Sequence, residues 1–118
     1  MRYLCLVYLE ESALHALSAS ERQALIDEAL DYDGALRRSG HYVASNALQS
    51  VQTATTVRVR NGKALITDGP FAETKEQLGG FILIEARDLN DAIRVAGKIP
   101  PGRFGSIEIR PVSELTHS

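Results

Sequence analysis

Apolar residues run almost unbroken through "RYLCLVYLE" at residues 2 to 10, with one β-branched residue and two tyrosines. The run is too short for a typical helix and predicts a buried strand. Ser18 and Glu21 have the spacing of a capping box, in which the serine oxygen accepts from an orphan helix N–H and the glutamate reaches back. Leu25, Ala29, Tyr32 and Leu36, flanked by Ile26 and Leu30, then form one apolar stripe at helical spacing, and Gly40 supplies the stop. The pattern predicts a long helix over 19–39, and "HYVASNAL" after it reads as a short, weakly patterned strand. In "TTVRVRNGKALIT", residues 55 to 67, Asn61-Gly62 is the pair a two-residue type I′ turn prefers. That turn sets Val59 opposite Ala64 and Val57 opposite Ile66, with Arg58 and Arg60 on the other face. "GFILIEA", residues 80 to 86, is apolar at successive positions and predicts a second buried strand. "DLNDAIRVAGKIPP" predicts a short helix capped by Asp88 or Asn90, with Ala92, Ile93 and Ala96 inward and Gly97 before two prolines as its end. "SIEIRPV", residues 106 to 112, alternates apolar and charged, and Pro111 favours an edge position.

Leaving the hairpin aside, the order β, α, β, β, α, β is that of the split βαβ or ferredoxin-like arrangement, an α+β fold. Its two central strands would be 3–9 and 80–86, the two runs that are apolar on both faces. Two helices cover only one face of such a sheet, so the other face needs a second cover. A second copy is the simplest one, and a homodimer packed sheet against sheet is expected, with the hairpin extending the cover or shielding an edge.

At 118 residues the chain has the size of one domain, expected over 1–112 with a tail at 113–118. Its composition, 44% hydrophobic and 24% charged, is that of an ordinary globular protein. A net charge of −2 argues against a nucleic-acid partner, which requires a basic face. Cys5 is the single cysteine, which excludes an internal disulfide, and its place in "YLCLVYL" reads as an inert core thiol. The first apolar run is too short to span a bilayer, so no membrane association and a cytoplasmic location are expected. His15, His41 and His117 have no metal-ligand spacing, and no phosphate-binding glycine motif opens a helix; neither metal nor cofactor is expected.

"DGPFAETKEQLGG", residues 68 to 80, joins the hairpin to the second buried strand. Within "ITDGPFAETKEQLGGFILIEARDL" the tetrapeptide Asp68, Gly69, Pro70 and Phe71 resembles the signature of YCII-related proteins of the DGPF type. The resemblance extends to "RYLCLVY" at the start, "TATTVRVRNGK" before the motif and "IEIRPV" near the end. It implies a dimeric α+β barrel of ferredoxin-like subunits, often encoded beside extracytoplasmic-function sigma factors, and brings no established reaction. Other branches of that family carry a histidine on the first helix and an aspartate just after the second, proposed as an active-site pair. This chain has no histidine within 19–39 and reads "GKIPPG" after the second helix, so that pair does not carry over.

Asp68, Gly69 and Pro70 are explicable as turn chemistry. The density of Asp68, Phe71, Glu73 and Lys75 at a strand end also suits a loop that carries function on a rigid scaffold. If the segment is catalytic, Asp68 or Glu73 is the candidate proton acceptor, Lys75 neutralises developing charge and Phe71 packs on a ligand. The structural alternative has Asp68 accepting backbone N–H groups and Glu73 pairing with Lys75 or with an arginine across the dimer. Tyr8 ends the first strand, where its hydroxyl could face a pocket between sheet and helix. Two functions follow as expectations: a homodimer that binds or transforms a small polar or aromatic metabolite, or a non-catalytic regulatory protein working beside a sigma factor.

Overall fold

In the computed structural model, which describes residues 1–117, the first apolar run forms β1 (Arg2–Leu9). Tyr3, Cys5, Val7 and Leu9 are buried, while Leu4, Leu6 and Tyr8 on the other face are half-buried. A short helix, α1 (Glu11–His15), follows without a side-chain cap and has no counterpart in the sequence expectations. α2 (Ala19–Ser39) has the expected bounds. The Ser18 hydroxyl accepts from the Glu21 N–H at 3.1 Å, the Glu21 carboxylate accepts from the Ser18 N–H at 2.9 Å, and Gly40 ends the helix in the left-handed region.

The chain continues through β2 (Tyr42–Ala47), a 3-10 turn (Val51–Thr53), β3 (Thr55–Arg60), β4 (Lys63–Asp68) and β5 (Gln77–Glu85). α3 (Leu89–Ala96), a second 3-10 turn (Pro100–Phe104) and β6 (Gly105–Pro111) complete it. Four strands form one antiparallel sheet in the order β2-β5-β1-β6. The two strands apolar on both faces are the inner ones, and β6 with its proline lies on an edge. The architecture is α+β with two antiparallel sheets and is compatible with a ferredoxin-like subunit. Among the described residues no helix is long and apolar enough to cross a membrane.

The core lies between one sheet face and the helices: Cys5, Val7, Ile82 and Ile84 pack with Leu36, Ala92, Val95 and Ala96. Full burial of a Val or Ile side chain stabilises by about 1.5–3 kcal/mol, so this cluster carries the fold. Burial also pushes the Cys5 thiol up to about 11, which keeps it protonated and inert. On α3 the inward stripe is Ala92, Val95 and Ala96, continued past the helix end by buried Ile99, whereas Ile93 is half exposed. Spacings of three and four select that stripe, and Ile93 falls one helical step to its side.

Asn61 and Gly62 both have positive φ, 52° and 74°, and pair Val57 with Ile66 and Val59 with Ala64 as expected. The β3–β4 hairpin forms its own sheet, hydrogen-bonded to neither edge of the larger one. Its apolar face is open: Val57, Val59 and Ile66 are 58%, 64% and 72% exposed. The radius of gyration is 16.3 Å, against roughly 13–14 Å for a compact domain of this length. The hairpin therefore extends from the body as an arm.

Candidate functional site

The C-terminal half of α2 is held against the sheet and α3. Leu36 is buried, and the Tyr32 hydroxyl donates to the Val95 carbonyl at 2.6 Å. Desolvation, with Cys5 close by, raises the Tyr32 phenol above its usual range, so it remains a donor. Towards its N-terminus the helix offers Leu25 and Ala29 half-buried, with Ile26 and Leu30 50% and 62% exposed. A cleft of about 570 Å³ opens there between α2 and the sheet, a size typical of small-molecule sites.

The cleft is lined mostly by apolar groups: Val7 and Leu9 from β1, Leu14 from α1, Leu25, Ile26, Ala29 and Leu30 from α2, and Ile82 from β5. Gly79 and Gly80 also line it, and a Cβ on Gly80 would meet the Asn46 carbonyl at 2.8 Å. Glycine there lets β2 and β5 approach while leaving the wall bare. Besides Tyr32, four ionisable side chains border the space: Glu11, His15, Arg22 and Asp33. Both Glu11 oxygens are engaged, one by the Ser50 hydroxyl and one by the Val51 N–H, each at 2.9 Å. Asp33 accepts from the Ser45 hydroxyl at 3.1 Å, and Ser45 in turn contacts the Tyr42 hydroxyl at 2.9 Å. The arrangement can take an apolar body and meet polar groups at its rim.

The signature segment lies elsewhere. Asp68 ends β4 opposite Thr55, and Gly69 turns with φ at 100°. The Gly69 N–H donates to Ala54 and its carbonyl accepts from the Thr56 hydroxyl, both at 2.7 Å. Arg58 donates to the Phe71 carbonyl at 2.8 Å while the Phe71 ring is 78% exposed. Gln77 ties the far end by donating to the Thr74 carbonyl at 2.6 Å. The backbone of this segment is thus well anchored, but the Asp68, Glu73 and Lys75 side chains make no hydrogen bond or ion pair among the described residues. Tyr8 lies on the sheet face away from the helices, across from Leu78 and Ser106. None of the five sequence-selected residues borders the cleft of its own chain.

A second, smaller hollow of about 270 Å³ sits at the C-terminal end of α2, bordered by Ser39, His41, Asp91, Arg94 and Lys98 over a floor that includes Tyr32 and Leu36. His41 Nε2 lies 3.0 Å from Asp91 Oδ2, and the Ser39 hydroxyl lies 2.7 Å from His41 Nδ1. Asp91 is buried and also accepts from the Arg87 N–H at 3.0 Å and from Arg94 at 2.9 Å. The Arg87 N–H, then His41 and Arg94, hold its carboxyl well below the usual carboxylate range against the opposing effect of burial. Ser39, His41 and Asp91 are separated in sequence by up to 52 positions, and the one local signal among them is the third place of Asp91 after the Asp88 cap, which suits an engaged carboxylate.

The chain matches the model of the YCII-related domain over residues 1–116. It is 33% identical over 115 residues to an uncharacterised protein of Rhizobium meliloti (strain 1021), which covers 96% of this chain and 93% of that protein. The match runs through the central strands, the cleft and the DGPF segment alike, and the chain belongs to the YCII-related family.

Proposed function

We propose that this protein works as a homodimer, a dimeric α+β barrel, that binds and transforms a small metabolite with an apolar body in the cleft between α2 and the sheet. The cleft itself carries the reading: it combines a suitable volume, apolar walls and a few polar groups at the rim. The dimer is supported by the half-buried face bearing Leu4, Leu6, Phe81 and Leu83, and by the open hairpin arm. Asp68 and Glu73 remain the proposed proton acceptors, with Tyr8, Phe71 and Lys75 as ligand contacts. Because all five lie outside the cleft of their own chain, these roles depend on assembly.

A metabolite-library thermal-shift screen tests the reading. Ligands should raise the melting temperature of the native protein and fail to do so with Ala29→Trp, whose ring fills the cleft. The same ligands should bind Asp68→Asn and Glu73→Gln with turnover reduced. Hits indifferent to Ala29→Trp would place binding outside the cleft. The exposed hairpin face also favours a second reading, a non-catalytic interaction protein beside an extracytoplasmic-function sigma factor, and a screen with no hits followed by a stable complex with that factor would favour it.

A further inference from the structure

We propose that Ser39 is an activated nucleophile, forming with His41 and Asp91 a second site that cleaves small esters or thioesters bearing an anionic group. The observations are geometric and independent of the α2 cleft. Exposure rises along the array, from the buried Asp91 carboxylate through the part-buried His41 ring to the exposed Ser39 hydroxyl. That gradient places the orienting acid inside and the reacting oxygen at the mouth of a hollow. Asp91 is fixed by donors other than the histidine, so its orientation does not depend on the ring. An ionised Asp91 accepts the Nε2–H, which leaves the Nδ1 lone pair of the neutral ring facing Ser39. The Ser39 proton has two acceptors in reach, Nδ1 at 2.7 Å and the Leu36 carbonyl at 3.1 Å, and the shorter contact goes to the base.

In the reaction, Ser39 Oγ attacks the substrate carbonyl carbon and its proton passes to His41 Nδ1. The bond from carbon to the leaving oxygen or sulfur then breaks, and the Nδ1 proton goes to the leaving group. Water repeats the sequence on the acyl-serine, returning the acid and the free hydroxyl. The C-terminal carbonyls of α2 favour the transient imidazolium but supply no donor to an oxyanion. That charge falls to Lys98, which has no ion-pair partner among the described residues, and to the free N–H groups of Arg94. The same two cations select an anionic substrate, and the 270 Å³ hollow limits the acyl group to a short one.

The test is labelling of the intact protein with a fluorophosphonate, with mass mapping of the adduct, alongside hydrolysis of p-nitrophenyl acetate and mono-p-nitrophenyl succinate. The adduct should map to Ser39 and vanish in Ser39→Ala. Its rate should fall by about 10²-fold or more in His41→Gln. Lys98→Glu should slow both esters, and the succinate ester at least tenfold more than the acetate ester. Absence of an adduct, an adduct elsewhere, or undiminished labelling in a folded His41→Gln overturns the proposal. If His41→Gln does not fold, carbethoxylation of His41 in the native protein replaces it, and labelling that survives this modification is equally decisive against it.

Discussion

Asp91 joins the end of α2 to the start of α3, and its chemistry makes that junction sensitive to acid. Its carboxyl titrates below the ordinary range in the folded protein and near 4 when unfolded. A depressed folded value means the stabilisation is complete above about pH 4 and is lost as pH falls through the unfolded and then the folded value. Melting temperature should therefore drop on acidification below about pH 4 more steeply for the native protein than for Asp91→Asn, with the variant already less stable at pH 7. Parallel curves for the two would deny Asp91 this role. Gly69 makes a second prediction at this scale. With φ at 100°, alanine there costs about 1–3 kcal/mol in strain, readable as a lower urea midpoint.

Elements whose determinants are local were the legible ones. The Ser18–Glu21 box, the Gly40 stop and the Asn61-Gly62 turn each specify their structure within a few residues, and all three formed as expected. Ser18→Ala should cost about 1 kcal/mol, lowering the urea midpoint at unchanged slope. The cleft was not legible, because it depends on how α2 leans. That pose is set by Tyr32 reaching Val95, 63 positions away, and by Leu36, while Ile26 and Leu30 carry the same periodic signal whether they meet the sheet or solvent. α1 escaped notice for a related reason: it is one short turn without a side-chain cap. The DGPF segment is conspicuous as a motif, yet its visible work in the single chain is done by backbone groups and glycine, and the Asp68, Glu73 and Lys75 side chains have no partner among the described residues.

Besides the cleft, the described residues present two apolar surfaces that the single chain does not cover: the outer sheet face and the hairpin arm. If these meet in a second copy, sedimentation at micromolar concentration should give a dimer. Val57→Glu together with Ile66→Lys should then shift it to monomer while preserving the far-ultraviolet circular dichroism. A native monomer at that concentration would remove the dimer from the proposed function.

The strand order also governs how the chain is made. β1 is inner in the sheet, yet its partners are β5 and β6, so Tyr3 waits for Ile84 and Pro111 before either neighbour exists. At the ribosome's pace of about 5–20 residues per second, "YLCLVYL" spends roughly 5–20 s after synthesis without the strand that flanks it on β6. The hairpin, by contrast, closes in microseconds once Asn61-Gly62 has emerged. Folding is therefore expected to begin with the arm and finish with the sheet, leaving the most apolar segment as the nascent chain's longest-exposed hazard for aggregation and its natural contact for a chaperone.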